Sequence, residues 1–582
     1  MAVFLAAYAL QPEAMDPRLG ERLGEILREA GDVRLVQTPH CQIAHVDLSL
    51  WPGASSLQLG DDTAVFAGDP VVEADGVELD RPQGLAWLAE RLLAGPATAA
   101  TQAHGTFSGL LHRSADRELL AITDKLGVRP IYWARCGGLV FLSSALWALE
   151  RLDELDKTPD WRAAVESAAF GFPLGDRSPY LAVQLLAPGT MLRLRTDGVE
   201  LQRYFDWAAI RPHGLQGQVL REQVQQAFAR ACAQRGRGQP EVMAFLSGGM
   251  DSRLLVSALR SGGHAVHSLN FAPEGSQDLV YGRLAAQSLG SSHFEYGAGE
   301  EGFAVRQGQA LRAWREAHPA VHARLRCPRL IWSGDGGSVG LGHVYLNQAI
   351  VDAARSRGLD AAAAMIQQAN RSWVSPHIFR RASRPLADLP LRSIREDLAQ
   401  RPEVEPGRNC HLFFMLNDQR RHLTRHYEQV HRHRIDLVLP FFDSRFLQVV
   451  IGAAIDPFIG HRLYNELLLS LPDGCGRIPW QSYPGHQPCP VELPESLREN
   501  LRAQWSDGWF DTRALRRQRR AALRQRWQLL AGCPETAQIL NRPLLLGLNT
   551  LALAGPARFD YLIEASRPFL RALRPGAAID GL

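Results

Sequence analysis

The sequence predicts two domains of different class: an α+β domain of layered sheets over residues 1–207 and an α/β domain built on a parallel sheet over residues 208–582. Two observations predict this. The first two hundred residues are short strand-like runs punctuated by Gly, Asp and Pro, whereas from about Gly214 longer helical stretches alternate with a few apolar runs. A third observation fixes the polarity of the second domain: its first apolar run ends in Ser247-Gly248-Gly249 and passes straight into a helical segment.

In the first domain Met1 to Leu10 is apolar, lacks a basic leader and runs into Gln11-Pro12-Glu13, so it reads as a first strand and not as a signal peptide. Strand-like runs follow at Val33 to Gln37, Ile43 to Asp47, Thr63 to Ala67, Gly109 to His112, Leu119 to Thr123, Ile131 to Ala134 and Leu139 to Leu142. The domain closes near Tyr204-Phe205-Asp206-Trp207. In the second domain Leu220 to Arg235 reads as helix, Val242 to Leu246 as strand, Ser252 to Ser261 as helix, Val266 to Asn270 as strand and Leu279 to Leu289 as helix. After about Asp352 the chain reads as mostly helical, with a Pro-rich stretch from Pro472 to Pro494.

Composition excludes several classes. The 582 residues are 46% hydrophobic and 21% charged, enough for two cores. A net charge of +3 does not mark a general nucleic-acid binder or a membrane-surface protein, and no apolar run approaches the roughly 18 residues of a membrane span. Arg513 to Arg526 carries seven arginines, read as a solvated helix face. The eight cysteines lack paired short spacing, which fits a reduced, cytoplasmic setting. Neither nucleic acid nor membrane is expected as a partner.

The chemistry-bearing stretch is Leu246-Ser247-Gly248-Gly249-Met250-Asp251-Ser252. Two glycines let the backbone turn tightly against a ligand, and the helix that follows presents unpaired N–H groups and a positive dipole end to phosphate. Ser247 and Ser252 add hydroxyls, and Asp251 can hold magnesium on the phosphates. The stretch therefore reads as a pyrophosphate-binding loop at the carboxyl end of a parallel strand.

Around this loop the chain resembles the asparagine synthetase family. Gly105-x-Phe107, Thr123-Asp124-Lys125-Leu126-Gly127-Val128-Arg129-Pro130-Ile131-Tyr132 and Phe141-Leu142-Ser143-Ser144 are similar to its glutaminase-like N-terminal domain. Leu246 to Ser252, Asp278-Leu279 with Leu289-Gly290 and His293, Trp332 to Gly337, and Asp436-x-x-x-Pro440-Phe441-Phe442-Asp443 are similar to its synthetase domain. The resemblance implies an N-terminal nucleophile-type αββα sandwich joined to a pyrophosphate-loop domain of the adenine-nucleotide α-hydrolase kind. It also implies ATP and Mg2+ as cofactors, with adenylation of a carboxylate and displacement of AMP by an amine.

The departures from the family pattern are as informative. The family's glutamine-hydrolysing cysteine falls at Ala2, which has no nucleophile, and its Asn-Gly-Glu oxyanion segment is matched by Ala67-Gly68-Asp69. Without ammonia from glutamine, the amine has to come from the substrate. That implies the family's ring-closing branches, and Ser333 to Gly342, with Asp335 where other branches carry glutamate or tyrosine, favours the lasso-peptide cyclases. These join a peptide's N-terminal amine to an Asp or Glu side chain. The resemblance then implies a ribosomal precursor peptide as substrate, with a leader peptidase and a leader-peptide-binding protein as partners. A β-lactam-synthetase-like or ammonia-dependent small-molecule ligase, and a nucleotide-binding scaffold without turnover, are the alternatives.

Residue by residue, the resemblance assigns nucleotide binding to Leu246, Ser247, Gly248, Gly249, Asp251, Ser252, Asn270 and Gly334. Magnesium falls to Asp251 and Asp335, because the family's second magnesium aspartate aligns with Ser338. Asp335 and Asp436 are the candidates for holding the amine and taking its proton; the other reading of Asp436 is a pair with an arginine such as Arg434. The last lysine is Lys157, so the family's charge-stabilising lysine is replaced by His461 or Arg462, with Arg462 preferred for its permanent charge. His422, His426, His431 and His433 read as packing or surface residues.

Overall fold

The computed structural model describes residues 1–274, 276–297, 303–471, 474–493, 495, 512–554 and 560–573. Two six-stranded antiparallel sheets make the first domain. One runs β12 (Val183–Leu185), β10 (Tyr132–Cys136), β11 (Leu139–Ser143), β1 (Ala2–Ala9), β3 (Cys41–Asp47), β2 (Val33–Gln37). The other runs β14 (Gly198–Arg203), β13 (Thr190–Arg195), β9 (Glu118–Thr123), β8 (Phe107–Arg113), β5 (Asp62–Gly68), β4 (Ser56–Leu59). A two-stranded hairpin, β6 (Glu73–Ala74) with β7 (Val77–Glu78), stands apart.

Strand alternation builds the layers. In β1 the even positions Ala2, Phe4, Ala6 and Tyr8 enter the core between the sheets with Val65, Leu110, Leu119 and Ala121. The odd positions Val3, Leu5 and Ala7 share a second core with Leu19, Leu23 and Leu27 of the helix Leu19–Leu27. On the opposite face the helix Arg81–Ala94 places Leu85, Leu88 and Leu92 on Phe66, Leu111 and Leu120. Asp80 and Gln83 close that helix's N-terminus in a reciprocal capping box. Helix, sheet, sheet, helix is the αββα sandwich expected.

The second domain contains a five-stranded parallel sheet in the order β17 (Ser292–Glu295), β16 (Ala265–Asn270), β15 (Glu241–Phe245), β18 (Leu330–Trp332), β19 (Asp436–Val438). The chain moves outward one way from β15 and returns on the other side at β18, so β15 and β18 are neighbours at a topological switch point. Loops leaving their carboxyl ends therefore face each other. The helices Gly217–Gly236, Asp251–Ser261 and Gln277–Leu289 lie where helical periodicity puts them. The C-terminal helices Thr512–Gly532, Arg542–Ala554 and Arg567–Leu573 meet the helix Trp161–Phe170 across a separate core with Leu530, Leu545 and Phe569. In the arginine-rich helix Arg519 pairs with Asp560 and Arg526 with Glu564; the side chains of Arg513, Arg516 and Arg517 lie outside the described residues.

Among the ion pairs that cross between the domains in the described residues, that of Arg129 with Asp436 is buried on both sides. Arg129 donates through Nη2 to both carboxylate oxygens of Asp436 at 2.8 and 3.0 Å, and Trp51 Nε1 donates to the same carboxylate at 2.5 Å. The guanidinium also lies 4.4 Å from the centre of the Tyr427 ring. The arginine expected to pair with Asp436, Arg434, donates instead to the Ala30 carbonyl at 2.6 Å. Removing one side of a buried pair strands the other charge, at a cost of about 3–5 kcal/mol. Arg129→Leu is thus expected to lower unfolding free energy by about that amount, and Arg434→Ala by only about 1 kcal/mol, both measured by denaturant titration.

Candidate active site

From β15 the chain turns through residues 246–250 into the helix Asp251–Ser261. The Ser247 amide donates to Ser252 Oγ at 2.9 Å, the two hydroxyls lie 2.8 Å apart, and the Gly249 amide donates to Ser247 Oγ at 3.2 Å. The Gly248 amide donates to Asp278 Oδ1 at 2.7 Å. A Cβ on Gly248 would lie 2.8 Å from the Gln277 carbonyl oxygen and 2.9 Å from Asp278 Cα, so glycine is required there. Leu246 is fully buried and donates to the Leu269 carbonyl at 3.1 Å, which keeps it a strand-end residue behind the loop.

The facing loop leaves β18 as Ser333-Gly334-Asp335-Gly336 and enters the short helix Gly337–Gly340. It touches the first loop closely. A Cβ on Gly334 would stand 2.6 Å from the Ser252 amide nitrogen, and one on Gly337 would stand 2.5 Å from the Asp251 carboxylate. Ser338 Oγ donates to Asp251 Oδ2 at 2.5 Å, the Tyr464 hydroxyl donates to Oδ1 at 2.6 Å, and the Tyr483 hydroxyl lies 3.1 Å from Ser338 Oγ. Burial pushes the Asp251 carboxyl up to about 6; the two hydroxyl donors oppose the shift and the charge of Asp335 adds to it.

Asp335 holds two partners: Ser333 Oγ donates to Oδ2 at 2.5 Å, and His422 Nε2 lies 3.0 Å from Oδ1. Burial opposes its ionisation, yet His422, the Ser333 hydroxyl and the charge of His426 together outweigh it and hold the carboxyl below the usual carboxylate range. The contact with Asp335 raises His422 above its ordinary value. His422 is half exposed, a surface residue as the sequence suggested, and what the sequence did not show is its contact with Asp335. His426 packs at a tilt on His433, ring centres 4.6 Å apart, and His431 likewise on Trp147 at 4.8 Å, as packing residues do. Ser338, Tyr464, Tyr483 and His422 are the site residues that sequence reasoning missed. Only Ser338 carried a signal, the departure from aspartate at its position.

The other expected residues are dispersed. Asp436 is fully buried at the domain joint, with Arg129 and Trp51 on its oxygens; its place in the structure is that of an interdomain anchor and not of a group open to an amine. Asn270 donates to the Asp278 carbonyl at 3.2 Å and accepts from the Ala272 amide at 2.8 Å, which pins the end of β16 beside the loop. Arg462, preferred from the sequence, is exposed and donates to the Asp456 carbonyl. His461 is the buried member of that pair, stacked 4.0 Å from His486 and edge-on to Tyr483 at 5.5 Å. Burial lowers it to about 3, so it is a neutral ring and not a cation.

Among the described residues no three His, Cys, Asp or Glu side chains converge on a metal. Magnesium needs less: one or two carboxylates, with water and phosphate oxygens completing its shell. Asp251, beside the Ser338 hydroxyl, fits that requirement, and its raised pKa is the shift a nearby cation would reverse. Asp335 accepts from Ser333 and lies against His422, as Asp251 accepts from Ser338 and Tyr464, so each carboxylate keeps lone pairs for the ion and hydrogen bonding does not separate the two.

In the first domain Ala2 is fully buried in β1. The ground beside Gly68 is filled by arginines: Arg81 Nε donates to the Gly68 carbonyl at 3.0 Å, and a Cβ on Gly68 would lie 2.2 Å from Arg129 Nε.

Comparison with known proteins agrees with this architecture. Residues 89–205 match the glutamine amidotransferase domain and residues 223–333 the asparagine synthase domain. The two matches, in this order, are the domain pair that the chain shares with the asparagine synthetase family. Curated relatives include a glutamine-hydrolysing asparagine synthetase of Bacillus subtilis, 25% identical over 198 residues that cover 33% of this chain and 30% of the relative. A putative glutamine-hydrolysing asparagine synthetase of Mycobacterium bovis is 26% identical over 198 residues, covering 32% of this chain and 30% of that protein. The chain thus spans under a third of the length of these relatives. Among solved structures, the glutamine phosphoribosylpyrophosphate amidotransferase of Bacillus subtilis complexed with ADP and GMP aligns over 52% of this chain and 91% of its own, at 12% identity and a TM-score of 0.24. An allosteric regulatory enzyme of purine biosynthesis aligns over 52% and 90%, at 13% identity and the same score, 0.24.

Two outcomes follow from the geometry. Gly334→Ala is expected to force the loops apart at a cost of about 1–3 kcal/mol, read as about 10- to 100-fold weaker binding of magnesium-ATP by calorimetry. Because Asp251 titrates near 6 and magnesium needs the carboxylate, magnesium-dependent binding should be full at pH 8 and fall as pH drops below about 6.

Proposed function

We propose that this chain is an ATP-dependent, AMP-forming amide ligase that closes a macrolactam on a ribosomal precursor peptide, in the manner of the lasso-peptide cyclases. The observation that carries the ligase reading is the meeting of the two glycine-rich loops at the switch point, with Asp251 between Ser338 and Tyr464. The N-terminus of the helix Asp251–Ser261, with the Ser247 and Ser252 hydroxyls beside it, is suited to the phosphates of ATP. Magnesium, held by Asp251 with phosphate oxygens, would offset charge on the leaving pyrophosphate.

The source of the amine follows from Ala2 and the arginine-filled ground at Gly68. Neither supplies a thiol, so glutamine is not the donor, and the amine belongs to the substrate. An α-amine is mostly protonated near neutral pH. Asp335, kept ionised by His422, is suited to hold that ammonium beside the activated carboxylate and to receive its proton. The carboxylate attacks the α-phosphorus of ATP and pyrophosphate leaves; the amine nitrogen then bonds to the carbonyl carbon, AMP leaves, and one water is lost from the peptide overall.

Incubation with ATP, magnesium and candidate precursor peptides is expected to yield AMP, pyrophosphate and a product lighter by one water. Release of ADP, or amidation that requires added ammonium, would overturn the reading. Asp251→Ala is expected to reduce product formation at least about 100-fold, the scale of removing a principal electrostatic contact to a transition state. Glutamine should release no ammonia.

A further inference from the structure

Arg408 is 6% exposed and forms no direct ion pair among the described residues; Glu405 and Asp456, whose charges offset part of its burial, are themselves paired with Arg355. A buried guanidinium without a counterion is costly and needs acceptors. It finds four. Nη2 donates to the carbonyls of Val450 at 3.2 Å and Ala453 at 2.9 Å. Nη1 donates to two imidazoles at once: His343 Nε2 at 3.1 Å and His411 Nδ1 at 2.8 Å.

These contacts fix both histidines. A guanidinium only donates, so His343 Nε2 and His411 Nδ1 must be bare acceptors. A carbonyl only accepts, so the remaining nitrogens must carry hydrogen: His343 Nδ1 donates to the Leu341 carbonyl at 3.2 Å, and His411 Nε2 to the Val339 carbonyl at 3.0 Å. Both rings are neutral and of opposite tautomer, stacked 3.7 Å apart at 9°, and both are 1% exposed. Burial, reinforced by the adjacent Arg408 charge, holds both well below the usual imidazole range, as the tautomers require.

The two anchored carbonyls belong to the turn that carries the active-site loop. Ser338 precedes Val339 and donates to Asp251, and Gly337 before it packs on the same carboxylate with no room for a Cβ. A shift of the turn by about 1 Å would take the Ser338 to Asp251 contact beyond hydrogen-bond reach. We propose that Arg408, by donating to His343 and His411 together, is a positioning residue that clamps the Val339 to Leu341 turn and so holds Ser338 against Asp251. Only the nucleotide-binding arm of the test rests on the ligase reading.

Three variants of the full chain separate a clamp from mere packing. His411→Gln keeps an acceptor for Arg408 and a donor for the Val339 carbonyl, His411→Leu keeps bulk and neither, and Arg408→Leu removes the shared donor. Without nucleotide, hydrogen exchange of the amides of Val339 to His343 is expected to rise at least about tenfold in His411→Leu and Arg408→Leu. His411→Gln should stay within about threefold of wild type, with β15 and β16 unchanged in all three. Magnesium-ATP, titrated by calorimetry, should bind about tenfold or more weakly to the two leucine variants and near normally to His411→Gln. Wild-type exchange in the loop of folded His411→Leu would overturn the clamp. So would a Gln variant as impaired as the Leu variant, or a rise in exchange spread evenly over the sheet. A wild type that binds no magnesium-ATP would refute the ligase reading, and the exchange pattern would still decide the clamp.

Discussion

The candidate site depends on the closeness with which two glycine-rich loops approach at the carboxyl ends of β15 and β18. A parallel sheet whose chain reverses direction between those strands puts the loops side by side, and the missing side chains of Gly334 and Gly337 let the backbone of one loop reach Ser252 and Asp251 on the other. Any Cβ at either position would occupy space already taken by backbone or carboxylate. This contact leaves Asp251 partly enclosed, which raises its pKa, and presents it to hydroxyls and not to a second carboxylate.

A second constraint ties the first domain to that arrangement. Arg129 leaves the sandwich to meet Asp436 at the start of β19, and β19 pairs with β18, from which the second loop departs. The Ser333 amide itself donates to the Val438 carbonyl at 3.1 Å. The first domain has no thiol at Ala2 and fills the ground beside Gly68 with arginine, yet it supplies the cation and the indole that neutralise Asp436. The first domain therefore has a structural role at the joint: without it the sheet of the second domain would carry an unpaired buried carboxylate.

Much of this was legible in the residues. The apolar run Met1 to Leu10, turn residues between short strands, and helical periodicity from Leu220 onward found elements of both domains, and Ser247 to Ser252 announced the first loop. β18 and β19 are three residues long, too short to show a period, so only their motif context marked them. The partners of the charged groups were less readable. Asp436 finds its arginine 307 residues away, and Asp335 finds His422 87 residues away, across contacts that sequence spacing does not encode. Arg462 illustrates the opposite error. Permanent charge made it the attractive choice on paper, but the left-handed backbone at His461, with φ of 62°, turns His461 inward and leaves Arg462 at the surface.

The central claim is that the phosphates of ATP sit between the two loops with their magnesium on Asp251. A crystal structure of the full chain with magnesium and a non-hydrolysable ATP analogue tests it most directly. The account predicts β- and γ-phosphates at the N-terminus of the helix Asp251–Ser261, a metal on Asp251 with Ser338 within reach, and Asp335 still paired with His422. A nucleotide bound elsewhere, or phosphates seated between the loops with the metal held by Asp335 and not by Asp251, would contradict it.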